Sequence, residues 1–69
     1  MVIRDLQRVI ELPMDPRFVI IPKTKPVLGV YPEAGRFVSL SLNDPRLDEI
    51  AMEEIETLRI EDNRVYLEI

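Results

Sequence analysis

The sequence predicts a single α+β domain over residues 1–69: a small, mainly antiparallel sheet of about five strands with an N-terminal helix and a second short helix, in the order α-β-β-β-α-β-β. Three observations lead there. Apolar residues recur with a helical period at the N-terminus, and with a period of two in several later runs. Proline and glycine separate those runs, and 69 residues are too few for a second hydrophobic core.

In residues 1–12, Val2, Ile3, Leu6, Val9 and Ile10 fall within one arc of about 120° at 100° per residue, with Arg4, Gln7, Arg8 and Glu11 opposite. A helix this short is marginal alone in water, so its stripe must dock on its own sheet or on another subunit. Leu12-Pro13-Met14-Asp15-Pro16 ends it, because each proline disfavours helical geometry in the residue before it.

From Arg17 onward β-branched and aromatic residues take over. Phe18 to Ile21, Val27 to Tyr31 and Phe37 to Leu42 read as three strands. Pro22-Lys23-Thr24-Lys25-Pro26 separates the first two, its charges and prolines suiting the protection of an edge strand. Pro32-Glu33-Ala34-Gly35 separates the next two, with proline to start a turn and glycine for the left-handed position that closes it. Val38, Leu40 and Leu42 alternate with Ser39 and Ser41, which gives the third strand one buried and one wetter face.

Asn43-Asp44-Pro45 is a helix start: Asp44 or Asn43 can accept from the first free amides, Asp44 being the preferred cap, and Pro45 suits the first helical position. The apolar side carries Leu47, Ile50, Ala51 and Ile55. The helix is read as running to about Glu54, which would project between Leu47 and Ile50 on the same wheel, so either the helix has ended there or this carboxylate has a partner, and the earlier ending is preferred. The last segment is a hairpin. A two-residue Asp62-Asn63 turn sets Glu61 opposite Arg64, Ile60 opposite Val65, Arg59 opposite Tyr66, Leu58 opposite Leu67 and Thr57 opposite Glu68. One face is then Leu58, Ile60, Val65 and Leu67, expected to be buried, and the other holds a salt pair and a cation–aromatic pair. A helical crossover could also bring Ser39–Leu42 alongside Leu58–Ile60 in parallel.

Composition excludes much. Neither Cys nor His is present, so disulfides, thiolate or imidazole metal sites, and Cys- or His-based catalysis are ruled out. Hydrophobic residues at 46% and charged residues at 32% are those of a folded domain rather than a disordered tail. Val, Ile and Leu number 7, 8 and 8, and six prolines stiffen the unfolded chain; both help a domain too small for a large core. No run approaches the roughly 20 apolar residues of a membrane span. The start lacks a secretion signal, and a cytoplasmic protein without membrane association is the default expectation. One Gln, two Asn and proline-rich loops lean toward a thermophilic source.

Charge is uneven: residues 1–16 sum to -1, 17–42 to +3 and 43–69 to -6, giving the total of -4. Arg17, Lys23, Lys25 and Arg36 are candidates for a small anion patch, set against the simpler expectation that the basic middle complements the acidic end. Net negative charge opposes duplex nucleic acid. Asp48, Glu49, Glu53, Glu54 and Glu56 diverge around a helix, so a solvated face is expected there rather than a divalent-metal site. No catalytic, cofactor-binding or metal-ligating residue is singled out.

These readings lead to a non-catalytic protein-interaction module that self-associates, most simply as a homodimer. Val2, Ile3, Leu6, Val9 and Ile10 are the candidate interface, because a short chain leaves apolar faces uncovered. Two alternatives stand beside it. One is an acidic regulator, inhibitor- or antitoxin-like, that binds a basic surface of a partner protein; the other is a carboxylate-based enzyme whose site forms at a subunit interface.

Overall fold

The structure, a computed structural model, describes residues 1–11 and 15–69. Among them the sheet has four strands: β1 (Arg17–Ile21), β2 (Val38–Ser41), β3 (Thr57–Glu61) and β4 (Arg64–Glu68). Their spatial order is β2-β1-β4-β3. β1 pairs antiparallel with β2 but parallel with β4, while β3 and β4 form an antiparallel hairpin. The sheet is therefore mixed, with its parallel pair at the centre. That pair joins the first and last strands, not those flanking the second helix as the crossover reading had it.

The terminal hairpin has the register expected from its sequence, from Thr57 opposite Glu68 to Glu61 opposite Arg64. Asp62 and Asn63 both take left-handed backbone angles (φ 51° and 59°), the turn whose twist matches two antiparallel strands. Arg59 lies 4.5 Å from the Tyr66 ring centroid, as expected. The salt pair differs: Glu61 meets Arg59 at 3.4 Å along its own strand rather than Arg64 across the hairpin.

Five strands become four because Val27 to Tyr31 is not extended. Val27 and Val30 form an isolated bridge around Leu28 and Gly29, at φ 48° and 77°. A leucine there is strained by roughly 1–2 kcal/mol. Burial of Val27 and packing of Leu28 against the core offset that cost, an effect of tertiary structure to which local propensity is blind. Lys23 and Lys25 follow β1, an interior strand, so they guard no edge.

Helix α1 (Ile3–Val9) is shorter than residues 1–12, and the Leu12, Pro13 and Met14 part of its expected breaker lies outside the described residues. Its first amides are satisfied at long range. Ile3 donates to the Glu53 carbonyl at 3.2 Å and Arg4 to that of Ala51 at 2.8 Å, while the Val2 amide donates to Asp5 Oδ2 at 3.1 Å. The second helix is a single 3₁₀ stretch, Pro45–Ile50, and ends ahead of Glu54, the ending preferred from the wheel. Asp44 caps it by accepting from the Arg46 amide at 2.9 Å.

Both helices lie on one face of the sheet. Phe18, Ile20, Leu40, Val65 and Leu67 project from the strands and pack with Ile3 and Leu6 of α1 and Leu47 and Ile50 of the 3₁₀ helix. Leu67 is fully buried and Tyr66 only partly so. Leu67→Ala should therefore cost about 2–5 kcal/mol in urea denaturation and Tyr66→Ala clearly less. Equal losses would contradict the register.

Candidate functional site

Two surfaces of the sheet remain without a covering layer, and the first is the β3 edge. Leu58 and Ile60 share the face of Leu67 and Val65, their cross-strand partners. Yet Val65 and Leu67 are fully buried, while Leu58 and Ile60 are 43% and 50% exposed. The helical layer reaches over β4 and stops short of β3, so half of the apolar face expected to be buried is open.

The backbone of these two residues is open as well. The turn closes on the Glu61–Arg64 pair, and hydrogen-bonded pairs alternate along an antiparallel hairpin, so Arg59 and Thr57 bond to β4 while Leu58 and Ile60 turn their amides and carbonyls outward. Bonds around β4 agree with this alternation. The Arg17 amide donates to the Asn63 carbonyl at 3.4 Å and the Ile69 amide to that of Ile21 at 3.0 Å, which aims the odd-numbered residues at β1. The Glu56 amide donates to the Glu68 carbonyl at 2.7 Å, which aims an even-numbered residue at the β3 side. Proline and inward-pointing charge, the usual guards of a free edge, are absent from β3.

The second surface is the sheet's outer face. Arg17 and Arg64 are register partners across the central parallel pair, followed by Val19 beside Tyr66. With Phe37 and Ser39 they line a depression of about 320 Å³. Arg17 donates from Nε to Ser39 Oγ at 3.2 Å and from Nη2 to the Ser39 carbonyl at 3.0 Å, which holds its guanidinium across β1 and β2. Val19, only 7% exposed, forms the floor, and Phe37 is 57% exposed. Among the described residues no carboxylate lies within ion-pair distance of Arg17 or Arg64.

The other sequence candidates are dispersed. Lys25 pairs with Glu53 at 3.0 Å, Lys23 with Glu56 at 3.5 Å and Glu68 at 3.9 Å, and Arg36 with Glu33 at 3.5 Å. The two lysines of the basic middle thus meet the acidic end within the chain, and Arg17 alone of the four is left without a carboxylate partner. Ile3 and Leu6 of the candidate interface are spent on the chain's own core, Ile10 packs against it, and Val2 bridges to Glu54; Val9 is 68% exposed. Arg64 was missing from the sequence candidates because only the long-range parallel pairing of β1 with β4 sets it beside Arg17.

Four of the five carboxylates in the acidic run are held by separate partners: Asp48 by Arg4 at 3.0 Å, Glu54 by the Met1 amine at 3.1 Å, and Glu53 and Glu56 by the two lysines. Among the described residues no three acidic side chains gather as metal ligands, and no helix is long and apolar enough to cross a membrane. Asp44 is held below the ordinary carboxylate value of 3.8, first by the side-chain hydrogen bond from Arg46 and then by the Arg46 amide. Because the folded value is depressed, its contribution to stability is present above about pH 4 and lost as pH falls through the lowered value. Thermal melts should show Asp44→Asn less stable than the wild type near neutral pH and the gap closing only as pH falls below about 4. A gap independent of pH down to about pH 2 would contradict it.

No family model, curated protein or solved structure matches the chain, so its function has to be read from these two surfaces.

Proposed function

We propose that the protein is a non-catalytic interaction module that self-associates, and that β3 pairs antiparallel with β3 of a second copy about a two-fold axis. The observation that carries this reading is the coincidence, at Leu58 and Ile60, of half-exposed apolar side chains with outward backbone groups on an unguarded edge. A second copy supplies missing hydrogen bonds and missing cover, most directly at Ile60. Charge supports a self-complementary fit. A register centred on Arg59 would set two guanidinium groups opposite each other, whereas one centred on Ile60 sets Arg59 opposite Glu61 of the partner subunit, twice by symmetry.

This reading places the interface on β3 rather than on helix α1, since Ile3 and Leu6 already serve the core. The acidic-regulator reading draws no support from the geometry, because most of the carboxylates it would present are already engaged within the chain. No cofactor enters this reading, and nucleic acid is not its partner.

Sedimentation equilibrium tests it. Twice the monomer mass is expected in the micromolar range, falling toward the monomer on dilution. A single monomeric mass across that range, up to about 1 mM, would overturn the proposal.

A further inference from the structure

The depression on the outer face has a chemistry that self-association does not use. Arg17 and Arg64 are register partners across the β1–β4 pair and line the same depression, with the Arg17 guanidinium reaching over β2 to Ser39. Two cations lining one depression without carboxylate partners stand out in a chain whose other basic side chains are mostly paired with acids. Asp44 is near enough for Arg17 to lower its pKa, but its carboxylate is taken by Arg46, at 3.1 Å to Nε and 2.9 Å to Nη2. Arg17 is moreover held in place by Ser39, so part of the ordering that anion binding requires is already met.

Aromatic rings flank the cations. Phe37 is largely exposed at one side, and Tyr66 lies next to Val19, with Arg59 stacked on its ring. Two guanidinium groups on one depression can both donate to the oxygens of one phosphoryl group, and an exposed ring offers a face to a planar heterocycle. A volume of about 320 Å³ suits a mononucleotide-sized ligand in an open, shallow site.

We infer that this depression binds a phosphate monoester carrying a planar ring, of the nucleoside monophosphate class, with Arg17 and Arg64 on the phosphate and Phe37 against the ring. The inference stands apart from dimer formation, since the residues involved lie on β1, on β4 and at the entry to β2, away from the free edge of β3.

The test is a titration of the ¹⁵N-labelled protein with adenosine monophosphate at low salt, with adenosine and inorganic phosphate as separate probes. Saturable shifts are expected at Arg17, Ser39, Arg64 and Tyr66 with a dissociation constant of about 1 mM or tighter. Inorganic phosphate should bind at the same residues about tenfold more weakly, and adenosine should not saturate. Arg64→Gln, at an exposed side chain with no ion-pair partner, should keep the fold and weaken binding of the monophosphate at least about tenfold. Phe37→Ala should reduce affinity for the monophosphate while leaving that for phosphate unchanged. Absence of saturable shifts, shifts centred on Lys23 and Lys25, or an Arg64→Gln variant that binds like the wild type would each overturn the inference. Equal affinity for phosphate and the monophosphate would overturn its ring component.

Discussion

Phe18→Ala should leave the protein close to unfolded at room temperature. Phe18 is fully buried at the centre of the sheet, opposite Leu40 on one side and Val65 on the other. Truncation of a packed phenylalanine costs about 3–5 kcal/mol. At roughly 0.05–0.15 kcal/mol per residue, a domain of 69 residues has only about 3–10 kcal/mol to lose. Phe37→Ala is the matched control. Its ring is more than half exposed, and the substitution should change stability by about 0.5 kcal/mol or less. Urea denaturation followed by circular dichroism gives both values, and comparable losses at the two positions would contradict the one-sided core.

Ile60→Lys should abolish association while sparing the monomer. In the register centred on Ile60 the two copies of this side chain lie opposite each other at the two-fold axis, so the substitution replaces an apolar contact by two facing ammonium groups. Weakening of the dimer by at least about 100-fold is expected, equivalent to about 2.7 kcal/mol. The same side chain is half exposed in the single chain, so the unfolding free energy of the dilute protein should change by about 0.5 kcal/mol or less. Leu6→Glu should behave oppositely: Leu6 lies in the core, and a carboxylate there unfolds the chain rather than separating two folded copies. Measured dimer mass for Ile60→Lys equal to that of the wild type would move the interface elsewhere.

What the sequence made legible was local. The register of the β3–β4 hairpin, its Asp62-Asn63 turn, the Arg59–Tyr66 stack, the Asp44 cap and the early end of the second helix all depend on residues within a few positions of one another. What it withheld was long-range. Alternation in the hairpin correctly placed Leu58 and Ile60 on the same face as Val65 and Leu67, but a period of two cannot say whether a covering layer extends that far. Nor could Arg17 be joined to Arg64, since that neighbourhood arises from parallel pairing of the first strand with the last. Helix α1 was recognisable from its stripe. Its docking within the chain rests on the carbonyls of Ala51 and Glu53, which no local pattern reveals.

Amide hydrogen exchange at Leu58 and Ile60, measured as a function of protein concentration, tests the central claim most directly. In a single chain these amides point to solvent from the edge of the sheet and exchange fast. Pairing of β3 with its copy in the register centred on Ile60 buries the Ile60 amide in a new ladder, so its protection should rise with concentration in step with the dimer fraction from sedimentation, while Arg59 is protected throughout by its bonds to β4. Fast exchange of Ile60 at concentrations where the protein sediments as a dimer would contradict the edge-to-edge assembly.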